Sequence, residues 1–460
     1  MRLLFLFASA SIAPAAFVAC ASSEVGGDRE EASTPDAPVS TIVDAAPPDV
    51  HEVDAAFARC SKAGWCATPL PDSDLALTDV WPLEGRAFAI AESGTMGVKV
   101  LEWTDTEASW KYIDDNTQNE LGAVFAGGIW APNGDTVYYA AGQSYVYRGT
   151  RNPLPGSGWS WSHWKLEDHL HADDYEAHAR AHNSTAALHR HGLASNPSVG
   201  IFGKVPVLGV WGIDAGNVYA WYTNTVYRWT TDGSGAAGWS PVYTVDDWDW
   251  TGEEVYFVSA GGSGTDDVWF AGVRQIWANG EGLASRQTEC QLLVHETSSG
   301  FTRVADGRIT TDVFPYEPCT DRPDFPRIGG TAGWLTEIQS TGHGSISALK
   351  GATDILRISA NNDGLRVDVD PVRLSWTPSS GATFDTNLLR SMWRAPTDVW
   401  LTSFGAVIRR QGTGGAGTYA VSTIALNGNP IRGRMYRVRG TSDTNIWATG
   451  EGYALHKTTP

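Results

Sequence analysis

Seven of the eleven histidines fall in one stretch, HWKLEDHLHADDYEAHARAHNSTAALHRH, which ends at His191. If residues 173–190 coil into a helix, His171, His178, His182 and His189 share one face, because steps of seven and four residues return to nearly the same angle. The pair His178 and His182, four apart, suits a borderline-soft ion such as Zn, Ni or Cu, with Asp174 and Glu176 close enough in sequence to assist. The same stripe also serves as a solvated packing surface, or as a contact that charges near pH 6.5. Metal ligation and plain packing both remain open at this level.

Two other groups of side chains have chemical potential. IRGRMYRVRG gathers Arg432, Arg434, Arg437 and Arg439 in an otherwise acidic chain. On an extended strand Arg437 and Arg439 share a face, where they would either capture a ligand carboxylate or pair with Asp or Glu of a neighbouring segment. DDWDW places Trp248 and Trp250 on one side, and GWSWSHW does so for Trp159 and Trp161; indoles in that spacing stack on sugar rings or pack a strand edge. Linear signatures of hydrolases and P-loop enzymes are missing: there is no HExxH, GxSxG or GxxxxGK.

These groups need elements to carry them, and the elements repeat. The 460 residues contain 50 Gly and 21 Trp with only 18% charged residues, a composition of turns and aromatic packing rather than helix bundles. IWAPNGDTVYYAAG, VWGIDAGNVYAW, MWRAPTDVWLTSFG and VRGTSDTNIWATGEG each read as an apolar segment, a polar turn and a second apolar segment bearing an aromatic. The anchors of this pattern are Phe88, Tyr138, Tyr219, Trp269, Ile346, Trp400 and Trp447, with Ile346 the weakest. A third short strand follows each hairpin (YVYRG, TVYRWT, AVIRRQ), and often a fourth beginning Gly-Trp. Four antiparallel strands per unit make a propeller blade. The expectation is therefore an all-β chain: a single β-propeller over 57–460, most simply of seven blades, with six or eight also compatible. Trp81, Trp130, Trp211 and Trp393 are assigned to the blade core. Longer gaps before Tyr219 and Ile346 locate two insertions, the His-rich one at 163–200, with a short helix, and a Pro/Cys loop at 306–330.

The final unit, MYRVRG, NIWATG, YALHK, is one strand short. The stretch GWCATPL near residue 65 has the form of the missing strand, so the N-terminal side is expected to join the C-terminal blade and close the ring, leaving no free sheet edge.

The repeat resembles the VWG...DVWAVG propellers frequent among bacterial lipoproteins, and more loosely the Asp-box and photosystem-assembly-factor propellers. The resemblance covers about 400 residues. It departs from the Asp-box pattern, of which TTDGSGAAGW is only an echo, and it implies a fold without implying an activity.

The N-terminus carries Arg2 and the apolar run LLFLFASASIAPAAFV, read as an export signal over 1–19. FVAC resembles a lipobox, which makes Cys20 the lipidated residue, although Phe17 stands where Leu is usual. Residues 20–56 hold nine acids against Arg29 alone and read as a flexible tether, with a reach on the order of 30 Å. Cys60, Cys66, Cys290 and Cys319 form an even set in an oxidising setting. Three connectivities are open to them, and closeness in sequence favours Cys60 with Cys66 and Cys290 with Cys319. A net charge of -19 argues against nucleic acid as a partner. The expectation is an exported envelope lipoprotein, monomeric, held to the membrane only by its lipid, binding a protein, a glycan or an envelope polymer. The alternatives are a secreted glycoside hydrolase or polysaccharide lyase, or a metal-binding protein acting through the histidines.

Overall fold

Each of the seven repeats folds as its pattern dictates. A run of β-branched and aromatic residues reverses at a turn rich in Gly, Asp, Asn and Thr, and pairs with the next run as an antiparallel hairpin. The computed structural model describes residues 60–459, apart from 170–192, 196–203, 250–252, 278–286, 310–318, 330–332, 375–388, 413–416, 425–430 and a scatter of single or paired positions. Seven antiparallel sheets are stacked around an axis as a seven-bladed propeller. The innermost strands are Leu75–Leu83, Ala126–Asn133, Leu208–Asp214, Glu253–Gly264, Leu335–Gly342, Ser391–Arg394 and Met435–Ser442, in blades 1 to 7. Blade 4 departs from the four-strand expectation. The pair Thr320–Asp321, from the Pro/Cys loop, adds a fifth strand on Gly300–Arg308. The helix among the described residues is a single turn, Thr117–Glu120, in the connection from blade 1 to blade 2.

The repeated anchor has a physical basis. In blade 4, Trp269 donates its indole N–H to Asp267 Oδ1 at 2.8 Å, and the same oxygen lies 2.8 Å from His295 Nε2. The imidazole of His295, its cross-strand partner, stacks on Trp269 with centroids 3.8 Å apart. Blade 7 repeats the triplet with Asn445, Trp447 and His456, the rings 4.1 Å apart. Blades 3 and 6 replace His with Arg: Arg228 bonds Asn217 and lies over Tyr219, while Arg409 bonds Asp398 and lies over Trp400. An acid or amide two residues before an aromatic, with a histidine or arginine opposite on the third strand, is thus a self-satisfying polar layer at the blade's turn-side end. Blade 5 has lost it: Ser347 occupies the anchor position and Ile346 the preceding one, which explains why this repeat is the faintest.

Adjacent blades are joined by inner-strand side chains that reach the next blade's backbone. Ile129 N–H donates to Asp79 Oδ2, Ile338 N–H to Ser259 Oγ, and Val438 N–H to Ser391 Oγ, each at 3.1 Å; Met392 N–H donates to Glu337 Oε2 at 2.6 Å.

The ring closes as expected. Trp65–Ala67 pairs with Tyr453–Lys457, Trp65 opposite Lys457 and Ala67 opposite Leu455, and completes blade 7. Trp65 is fully buried, meets Trp400 edge-on at 5.5 Å and donates its indole N–H to Ser422 Oγ at 2.9 Å. The Cys60–Cys66 disulfide staples the closing strand, and Cys290–Cys319 ties the Pro/Cys loop to blade 4. That loop is also clamped by charge. Arg322 reaches Asp306 at 3.2 Å, Asp247 at 3.5 Å, and Asp249. Beneath it the fully buried Arg274 contacts Asp306, Asp247 and Glu253, each at 2.8 Å. Burial opposes the Arg274 charge, but these carboxylates outweigh it and hold the guanidinium above its ordinary pKa.

Candidate functional site

One residue from each blade converges at the axis, fixed by its cross-strand position opposite the anchor. In blade order these are Trp81, Trp130, Trp211, Gly261, Gln339, Trp393 and Arg439. They surround an axial cavity of about 610 Å³ at the face carrying the first-to-second-strand turns. The ring is uneven. Blades 1 to 3 and 6 present indoles, blade 4 presents no side chain, and blades 5 and 7 are polar.

The indoles are tiled like a pinwheel. A Cβ on Gly212 would lie 2.7 Å from the Trp130 ring, and one on Gly440 would lie 2.7 Å from the Trp393 ring. The Gly that follows the ring position in the repeat therefore makes room for the indole of the preceding blade. Trp130 and Trp393 are buried as expected of core residues, whereas Trp81 and Trp211 are half-buried, and all four line the cavity. Their assignment to the core alone is corrected: the same side chains pack blade on blade and form the funnel wall.

The two arginines expected to share a strand face do so, and Arg439 lines the funnel. Arg437 lies 3.0 Å from Asp79 Oδ1 of blade 1 and 2.9 Å from Glu337 Oε1 of blade 5. Burial opposes its charge, yet Asp79 and Glu337 hold it above the usual arginine value. It is a cross-axis brace, the pairing alternative of the sequence reading. Arg439 differs. Its Nε is 3.3 Å from the same Asp79 oxygen, and its guanidinium lies 4.9 Å over the Trp81 ring. Burial pushes its pKa down, Asp79 only partly offsets this, and the like charge of Arg437 adds to the depression. Glu337 lines the cavity with Oε1 accepting from Arg437 and Oε2 accepting from the Met392 amide.

The other expected residues lie elsewhere. Trp248 is on the connection between blades 3 and 4, 39% exposed, and does not line the funnel. Trp250, the four histidines His171, His178, His182 and His189, and Cys20 fall outside the described residues. The described residues contain no group of three or more His, Cys, Asp or Glu arranged to hold a metal, and no helix among them is long and apolar enough to cross a membrane. Sequence reasoning did not find Asp79 and Glu337. The signal was available: each stands two residues before the ring position of its repeat.

No protein-family model and no curated protein matches the chain. Among solved structures, the chain is similar to YCF48 from Cyanidioschyzon merolae, at 12% identity and TM-score 0.45 over 86% of this chain and 98% of that one. A second structure, YCF48 bound to D1 peptide, aligns at 13% identity and TM-score 0.47 over 88% and 98%. The WD40 β-propeller domain of Doa1 aligns at 11% identity and TM-score 0.43 over 85% and 96%. At these identities the likeness concerns the fold alone. The class is thus a seven-bladed, disulfide-stapled β-propeller with an indole-ringed axial funnel.

Proposed function

We propose that this protein is an extracytoplasmic binding module, held to a membrane through lipid on Cys20 and an acidic tether, whose axial funnel receives its ligand. The observation that carries the reading is the funnel itself: seven non-adjacent positions, one per blade, converge on a cavity of about 610 Å³ lined by four indoles and one guanidinium. That volume lies within the range of roughly 300–1,000 Å³ found for ligand sites, with few, well-placed polar groups in an apolar wall. It admits a side group or the end of an envelope polymer, not a folded domain. Two disulfides fit an oxidising compartment outside the cytoplasm.

Two measurements test the reading separately. Cys20→Ala is expected to move the protein from the membrane fraction to the soluble fraction; retention at the membrane contradicts the lipid anchor. A Trp81→Ala, Trp211→Ala double variant is expected to lose the ligand captured from a solubilised envelope, while Trp248→Ala keeps it. Equal capture by all three proteins removes the funnel from the function.

A further inference from the structure

The charges at the funnel do not divide evenly. Asp79 and Glu337 face Arg437 and Arg439, two against two, but all four carboxylate oxygens already have partners besides Arg439. Asp79 Oδ2 accepts from Ile129 N–H, Glu337 Oε2 accepts from Met392 N–H, and Glu337 Oε1 serves Arg437. Asp79 Oδ1 accepts from Val80 N–H at 2.9 Å and is shared between the two arginines, at 3.0 Å from Arg437 and 3.3 Å from Arg439. Arg437 thus receives most of the negative charge. Among the described residues, the ion pair of Arg439 is the one through Nε, on the edge of the guanidinium away from its two terminal nitrogens. A planar guanidinium with its terminal pair uncommitted is the standard fork for a carboxylate. Arg439 lines the cavity, and its guanidinium lies 4.9 Å over the Trp81 ring.

The remaining wall narrows the chemistry. Indoles stand on blades 1, 2, 3 and 6. The sector of blades 4 and 5 is lined by Ser259, Ser263 and Ser340 beside the bare glycines 261 and 262; Ser259 Oγ already accepts from Ile338 N–H and the Ser263 hydroxyl donates to Asp267 Oδ2, which leaves the Ser259 O–H to donate and Ser263 Oγ to accept. An apolar wall facing a hydroxyl-lined one suits a ring that is apolar on its faces and polar around its rim. Resting on the funnel as the binding site, we infer that Arg439 anchors the carboxylate of an acidic sugar, so that the ligand class is a uronate-containing glycan. The indoles carry the sugar faces and the serine sector takes the hydroxyls. An acidic peptide would use the same fork and leave the hydroxyl sector idle.

The test titrates the purified full chain with trigalacturonate, with maltotriose as the uncharged sugar and triglutamate as the acidic peptide, reading tryptophan fluorescence and heat. Trigalacturonate is expected to bind more tightly than either. Arg439→Gln is expected to weaken trigalacturonate about ten- to hundred-fold, the loss of one charge-assisted carboxylate contact, and to leave maltotriose unchanged. Arg439→Lys, which keeps the charge and loses the fork, should fall between; melting temperatures of both variants separate binding loss from misfolding. Tightest binding of triglutamate overturns the sugar assignment. Equal binding of the two sugars, insensitive to Arg439→Gln, overturns the carboxylate anchor while the funnel stands as a binding site. Absence of trigalacturonate binding overturns the inference, and the envelope capture with the Trp81, Trp211 double variant still decides the funnel independently.

Discussion

Replacing Trp65 by Ala probes the closure of the ring through one side chain. Trp65 is fully buried at 0% accessible, packs against Trp400 at 5.5 Å, and its indole N–H donates to Ser422 Oγ at 2.9 Å. Truncating a buried Trp costs about 3–5 kcal/mol, because transfer energy is lost and a cavity is left. Ser422 is only partly buried, so water replaces the lost bond at little further cost. With an unfolding entropy of about 2.1 cal/mol/K per residue over about 400 residues, the expected fall in Tm is about 4–6 °C if the propeller melts as one unit. Calorimetry is the assay, with Trp248→Ala as control, since a 39% exposed indole outside the core should shift Tm by less than about 1 °C. Reducing the Cys60–Cys66 bond, which closes a loop six residues apart in sequence, should remove about 2 kcal/mol more. A Trp65→Ala protein that melts with the wild type would mean that the N-terminal strand does not close the ring.

Further outcomes concern the packing and the buried charges. Gly212→Ala should cost about 1–3 kcal/mol, because the added Cβ meets the preceding blade's Trp130 indole at 2.7 Å; urea unfolding measures it, and a neutral variant would remove the pinwheel account. Burial holds the His295 and His456 pKa values below the ordinary histidine value, with Asp267 only partly offsetting this for His295. The unfolded chain therefore binds these protons first, so the stability they contribute is present above pH 6.5 and lost as pH falls through their folded values. His456→Gln should flatten that loss in a Tm series from pH 7.5 to 5. Glu289 shows the opposite sign. Burial pushes its pKa up to about 8 against the lowering effects of the Trp334 N–H at 2.9 Å and the Lys350 charge. Its contribution is full below about pH 4.5 and is lost as pH rises through about 8, so Glu289→Gln should gain Tm relative to wild type at pH 8 and little at pH 5.

The architecture was largely legible because a propeller repeats its local physics. The aromatic anchors announce hairpins, and a last repeat lacking a strand announces its completion elsewhere, as Trp65–Ala67 then supplies. The anchor of blade 5 was misplaced by one residue since Ser347 contributes neither bulk nor a stacking face. The funnel was harder to read. Its seven residues are spread from Trp81 to Arg439, and no window of sequence contains two of them in one motif. Arg439 drew notice only as part of an arginine-rich run, and its difference from Arg437 depends on which carboxylate oxygens other blades have already engaged. Trp81 and Trp211 were read as core because tryptophan usually is; only the ring geometry shows that the same indoles also face the axis.

The most direct measurement of the central claim is site-specific photo-crosslinking in intact cells. A photoreactive amino acid at Ser340, on the funnel rim, is compared with one at Ala420, exposed on the outer strand of blade 6. The account predicts adducts to envelope material from position 340, lost when Trp81 and Trp211 are replaced by Ala, and none from position 420. Adducts from position 420 alone, or adducts from position 340 that survive those replacements, would contradict it.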